Sequence, residues 1–189
     1  MPIYFEKNPG WAVELGARGG IGALAGSGAR GAFAMGGGHL RVRIKHYQFG
    51  GFAMKSDDAD AGGGFMHFGG FAGAWLPFHN WVDFDIAAAV GSRRYSDPDP
   101  RYGPGGYSFG MPALSLIMGV SDRAHSDHVG GRVGGQIELT GDLGQKEKPW
   151  SFVETDSSGA MVETKGTTHV GGFSASLVFT IALDYGDGE

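Results

Sequence analysis

The stretch Val129–Leu143, VGGRVGGQIELTGDL, divides into two faces. Val129, Val133, Ile137, Leu139 and Leu143 fall on odd positions with Gly131, Gly135 and Gly141 between them, whereas Arg132, Gln136, Glu138, Thr140 and Asp142 take even ones. A period of two is a strand with one apolar and one polar side. Wound as a helix, the segment would scatter Arg132, Gln136 and Glu138 around its circumference. The four glycines between Gly130 and Gly135 would then cost about 1 kcal/mol each relative to alanine. The rest of the chain turns on whether that apolar side faces a protein core or lipid.

The same alternation recurs in order. Trp11, Val13, Leu15, Ala17 and Ile21 oppose Glu14, Gly16, Arg18, Gly20 and Gly22, and Gly26, Ser27 and Gly28 form a loop. Leu40, Val42 and Ile44 oppose His39, Arg41, Arg43 and Lys45. No Gly or Pro marks the next reversal, so a turn near Ile44 to His46 is set by strand length alone. His46 to Met54 carries Tyr47, Phe49 and Ala53 on its apolar side, and an acidic loop follows from Lys55 to Ala61. Gly62 to Leu76 has two possible phases, because Met66, Phe68, Ala72, Ala74 and Leu76 oppose the equally apolar Phe65, His67, Phe71 and Trp75. After a turn at Pro77 to Asn80, Val82, Phe84, Ile86, Ala88 and Val90 oppose Asp83, Asp85, Ala87 and Ala89. Ser92 to Gly106 reads as a long polar loop. Leu114, Leu116, Met118 and Val120 mark the returning strand, in which Pro112 must sit at a bulge or a strand end. Trp150–Thr155 and Ala160–Thr164 flank a turn at Asp156 to Gly159, a hairpin extending past the main sheet. His169–Tyr185 reads as the last and longest strand.

Composition narrows the class. Gly numbers 37, without the spacing of collagen or the low complexity of a linker, and glycine inside strands marks curvature and a crowded interior. A net charge of −5 argues against a nucleic-acid partner, and with Cys at 0 there is no disulfide framework or thiolate metal site. The chain has no run of about 20 apolar residues, which excludes a transmembrane helix but leaves a transmembrane barrel open. No signal peptide is visible, so the expectation is either a protein that stays in the cytoplasm or a mature form, with Met1 added, whose leader was removed.

Two regularities point to a closed barrel. Connections alternate between short and long, as in membrane barrels with short turns on one side and long loops on the other. Outgoing strands begin at Trp11, His46, Trp81 and His128, the first three about 35 residues apart, so each repeat is one hairpin. Summed over strands, the polar face carries Glu14, Asp83, Asp85 and Glu138 against Arg18, Arg41, Arg43 and Arg132. Such a balanced set fits a narrow lumen as paired charges. Aromatic residues cluster where strands meet turns: Trp11, Trp75, Phe78, Trp81 and Tyr185 on the short-turn side, and Phe52, Phe65, Tyr95, Tyr107 and Phe109 on the other. They suggest two girdles around an aliphatic band.

With about eight strands, an even number, and both termini on the short-turn side, the chain resembles the small eight-stranded outer-membrane β-barrels, the class of the outer-membrane protein A transmembrane domain and outer-membrane protein X. The resemblance rests on architecture over nearly the whole chain and on stretches such as Trp81–Gly91. It departs at the end, where Tyr185 is followed by Gly186–Glu189 instead of closing the chain on an aromatic residue. What it implies is an all-β, antiparallel up-and-down barrel at residues 11–185, with a lead-in at 1–10 and a tail at 186–189. It further implies a Gram-negative-type outer membrane, a filled interior and function carried by the outer loops.

Catalytic chemistry is sparse. The Gly19, Gly20 and Gly22 group and the Gly36–Gly38 run lack the Lys-Ser/Thr pair and helix of a phosphate loop. His125, Ser126, Asp127 and His128 sit too close in one turn to act as nucleophile, base and orienter. His67 and His169 with Ser174 or Ser176 are the His/Ser candidates for a lipid A modifying enzyme. No cofactor or metal site is expected. Arg93, Arg94 and Arg101, interleaved with Tyr95 and Tyr102, could contact lipopolysaccharide phosphates. The expectation is a monomeric, non-enzymatic barrel in contact with membrane lipid, whose loop partner the residues do not reveal. The alternatives are a soluble lipocalin-like barrel with an apolar ligand inside, and a lipid A modifying enzyme.

Overall fold

A computed structural model of the protein describes residues 10–25, 30–58, 64–79, 82–104, 106–126 and 129–186. Its strands are β1 (Trp11–Ala25), β2 (Arg30–Ile44), β3 (Tyr47–Asp58), β4 (Gly64–His79), β5 (Val82–Asp97), β6 (Tyr107–Ser126), β7 (Val129–Asp142), β8 (Lys146–Thr155), β9 (Met161–Val170) and β10 (Phe173–Gly186). β1 to β7 pair antiparallel in sequence, β7 pairs with β10, and β10 returns to β1, closing an eight-stranded barrel. β8 and β9 pair only with each other, as a hairpin inserted between β7 and β10. Closure leaves the barrel no open edge.

The question raised by Val129–Leu143 has a direct answer. Val133 is 61% exposed and Ile137 50%, while Arg132 and Glu138 are 3% and 2% exposed. The apolar side points away from the axis. The same holds around the wall: Leu15, Ile21, Val90, Phe179, Ile181 and Leu183 lie outside, and Glu14, Arg41, Asp83 and Thr180 inside. No helix among the described residues is long and apolar enough to cross a membrane.

Several boundaries differ from the sequence reading. β5 runs on to Asp97 and β6 starts at Tyr107, so the polar stretch from Ser92 contributes much of its length to strands and the connection shrinks to residues 98–106. Parity continues through Ser92, Arg93, Arg94 and Tyr95, but polarity on both faces hides it. The last strand starts at Phe173, not His169, because Gly171 (φ 106°) and Gly172 (φ 152°) break it from β9. β6, at 20 residues, is longer than β10 at 14. The turn at Lys45 and His46 falls where strand length put it, with Lys45 at φ 53°. Pro112 lies within β6 at the end of its ladder with β7: its carbonyl accepts from Leu143 N at 2.8 Å, and its missing N–H costs no further rung.

β4 resolves its two phases in favour of the aromatic side inward. Phe65, His67, Phe71 and Trp75 are buried, while Met66, Phe68, Leu76 and Phe78 face out. Rings fit inside because glycines on neighbouring strands make room: a Cβ at Gly50 would lie 2.8 Å from Phe71 Cζ. The interior is therefore layered. One charged cluster lies near the short-turn end, and across the middle Phe52, Met54, Phe71, Ala87, Ala89, Ile117 and Val178 pack together beside a second set of charges, with Glu138 opposite Ile117 in the register. At the long-loop mouth Phe33, Phe65, Tyr95, Met111 and Val170 form a second apolar cluster.

Candidate functional site

Each charged interior residue is set by strand parity, and the register decides its neighbours. Glu14 on β1 stands directly opposite Arg41 on β2 and Asp184 on β10. Its carboxylate lies 2.6 Å from His39 Nε2, 3.4 Å from Arg43 Nη2, 3.5 Å from Arg132 Nε and 3.8 Å from Arg41 Nε. Two acids facing each other across a ladder repel. Here Arg132 relieves the repulsion by reaching Asp184 as well, at 3.6 Å. Asp85 bridges Arg41 and Arg43 at 3.3 and 3.4 Å, and Asp83 pairs with Arg132 and stands 3.8 Å from Arg43. A second cluster lies higher, where Arg18 donates to Glu138 at 3.0 Å and to Gln136 at 3.3 Å, and His67 Nδ1 is 3.3 Å from Glu138. All eight charged residues singled out by parity are thus inside, in these two clusters.

Aromatic faces complete the shell. Arg43 lies over Trp75 at 5.1 Å, Arg18 over Phe52 at 4.9 Å and Arg41 over Phe71 at 5.6 Å. In a low-dielectric lumen such contacts add to the ion pairs. They also correct the girdle assignment. Trp75 is 4% exposed and sits inside beneath Arg43, and Phe52, Phe65 and Tyr95 are inside too. Proximity to a turn says nothing about which face a ring takes. Trp11 and Tyr185 do face out, in a T-shaped contact at 5.9 Å. Tyr107 is half-buried at the mouth, packed against Tyr102 and Phe109, and Trp81 lies outside the described residues.

The three arginines assigned to lipid phosphates separate. Arg93 is corrected: it is 2% exposed, inside the barrel, bonded to Ser174, 3.6 Å from Asp142 and 5.0 Å over Phe65. Odd parity in β5 forces it inward together with Tyr95, whose hydroxyl donates to Asp142 at 2.6 Å. Arg94 faces out and donates to Ser108 at 3.0 Å. Arg101 is on the one-turn 3-10 helix Pro100–Tyr102, paired with Asp99 at 2.7 Å. That hydrogen bond holds the Asp99 carboxyl below the usual range and the Arg101 guanidinium above its own. His39, Arg93, Asp142 and Asp184 were not among the residues singled out for the interior, although extending the parity of their strands would have placed them there; His67 lies on β4, whose two apolar faces parity does not tell apart.

The His/Ser candidates for catalysis do not form one site. His67 faces Glu138, Ser174 is held by Arg93, and His169 sits on β9, 3.6 Å from Glu147. Side chains of the cluster from His125 to His128 lie outside the described residues. The glycines near 19–22 and 36–38 are paired within β1 and β2, with no helix beside them. Above the barrel mouth, a cleft of about 620 Å³ opens between the 3-10 turn and the hairpin, lined in part by Arg101, Tyr102, Trp150 and Lys165.

No family model and no curated protein matches the chain. Among solved structures it is similar to Neisserial surface protein A, with a TM-score of 0.59 at 13% identity over 94% of this chain and 97% of that one. A weaker similarity links it to the β domain of the Bordetella autotransporter BrkA, with a TM-score of 0.42 at 10% identity over 94% and 99% of the two chains. What the first likeness carries is the fold alone, matching the closed antiparallel barrel described above.

Proposed function

We propose that the chain is an integral outer-membrane barrel of a Gram-negative-type bacterium. Its interior is blocked, and it presents its long-loop rim to the exterior in a structural or surface-interaction role. The observation that carries this reading is the inverted distribution of polarity: charge inside, and Leu, Ile, Val and Phe outside on all eight strands. Each large apolar side chain left in water forgoes about 1.5–3 kcal/mol relative to burial, and a soluble monomer rarely exposes an apolar patch beyond a few hundred Å². A hydrocarbon surround removes the penalty. The same inversion counts against a lipocalin-like carrier, whose ligand would have to lie among arginines and carboxylates.

A closely filled lumen, with Val178 fully buried in the cluster of Phe52, Phe71 and Ile117, supports a barrier to solutes and ions, not a channel. Dispersal of the His/Ser candidates favours a non-enzymatic role. At the upper wall, Arg94 and Lys55 both stand opposite Met66 and both point outward, one strand to either side of it. That height suits the phosphates of lipopolysaccharide, and Arg94 is the member of the original trio that keeps this role.

The test is detergent dependence. Made without a leader, the protein is expected in inclusion bodies, to refold only in detergent or lipid, and to run with a heat-modifiable shift on a gel. A monomer that stays soluble in plain buffer would overturn the proposal.

A further inference from the structure

Closure removes the edges of the barrel, but the β8–β9 hairpin keeps its own. Near its tip Asp156 N donates to the Ala160 carbonyl at 2.9 Å, and bonded pairs alternate along an antiparallel ladder. Glu154–Val162, Phe152–Thr164 and Trp150–Gly166 are therefore the bonded pairs, whereas Val153–Glu163, Ser151–Lys165 and Pro149–Thr167 turn their backbone groups outward. On β8 the outer edge lacks a donor at Pro149 and lies beside the 3-10 turn. On β9 it is uninterrupted: Met161–Val170 contains no proline, and among the described residues no barrel strand pairs with it. Such an edge is a template for another strand.

We propose that the β9 edge pairs antiparallel with β9 of a second copy of this chain, centred on Thr164. Charge specifies both the partner and the register. With Thr164 opposite its own counterpart, Glu163 faces Lys165 of the second copy, and Lys165 faces Glu163 of the second copy. Opposite charges across a ladder attract. Both side chains are exposed, and their ion pair within one copy, at 2.9 Å, extends to a quartet of alternating sign. Slipping the partner by two residues sets Glu163 on Glu163 or Lys165 on Lys165. Slipping it by one sets outward backbone groups against inward ones. The other face fits as well. Val162, 44% exposed, comes to lie across from Gly166 of the second copy. The Trp150 indole lies over that glycine so closely that a Cβ there would overlap the ring, so Val162 meets the indole directly. The two copies are related by a two-fold axis through the Thr164 pair, as in an isologous dimer. One strand pair from Met161 to Thr167 is a small interface, so the association is weak and reversible.

This pairing goes beyond the monomer expected from the residues, and it rests on the reading that the long-loop rim stands clear of the bilayer. The experiment uses the full chain refolded in detergent. With Cys at 0, a single introduced thiol reports alone. Thr164→Cys sets two thiols across a non-hydrogen-bonded pair, with Cα atoms about 4.5 Å apart, inside the disulfide range of about 4.4–6.8 Å. After mild oxidation we expect a covalent dimer on a non-reducing gel, and at least about tenfold less from Ser151→Cys, which sits on β8 away from the two-fold axis. In the Thr164→Cys background, Glu163→Lys or Lys165→Glu alone should lower the yield about tenfold, because each sets like charges opposite. Mixing the two variants should restore it, since every facing pair is then opposite in sign. A dimer yield from Thr164→Cys no greater than from Ser151→Cys overturns the inference, as does a mixture no better than its components. A chain that pairs yet never shows the heat-modifiable shift would uphold the inference and count against the membrane reading.

Discussion

Glu14 concentrates the energetics of the interior in one side chain. Its carboxylate faces three guanidiniums and His39 at 2% exposure. A buried ion pair adds little net stability, because desolvation nearly offsets attraction, yet removing one partner strands the others at about 3–5 kcal/mol. Glu14→Gln keeps the volume and removes the charge. We expect it to lower unfolding stability in detergent by roughly that amount, seen as an earlier loss of the heat-modifiable form in urea, whereas an unchanged midpoint would show that water screens the cluster. Parity alone placed Glu14 inside. That Asp184 lies across from it, and that Arg132 serves both, follows from the β1–β10 closure, which joins the two ends of the chain.

At the scale of elements, turns and the hairpin separate local from global control. Lys45 adopts φ 53° between β2 and β3, a conformation that costs a non-glycine residue about 1–2 kcal/mol. Lys45→Gly relieves it against a smaller gain in unfolded-chain entropy, so stability should rise by up to about 1 kcal/mol, measured as a higher urea midpoint. The β8–β9 hairpin pairs with no barrel strand and touches the barrel interior through Val170 in the mouth cluster. Replacing residues 145–171 with a short Gly/Ser linker should leave the heat-modifiable barrel intact and cost about 1–3 kcal/mol for the lost Val170 contacts. Loss of the barrel would show that the hairpin is needed for closure. Both features were legible in outline. The existence of the turn and the hairpin came from strand lengths and alternation, while the end of β9 was missed because Gly171 and Gly172 sit in a glycine-rich chain where two more glycines carry no distinct signal.

For the whole molecule, the outward apolar band is the property that membrane insertion depends on. Leu177 on β10 pairs with Ile137 on β7 near the middle of the wall, and both point outward. Leu177→Arg should cost about 2–4 kcal/mol on refolding into vesicles, whereas Ser176→Ala, inside and next to it, should change stability by about 1 kcal/mol or less. Equal effects would mean that the two faces share one environment. The amino-acid sequence by itself determined that this is an antiparallel barrel with eight charged residues on one face, because a period of two leaves each strand one place for its charges. What only the tertiary structure decided was which of two apolar faces of β4 turns inward, and with it that Trp75 lies within the lumen, and which acid meets which arginine. Those outcomes depend on the radius of the closed barrel and on contacts between strands distant in sequence. Alternation within one strand carries no information about either.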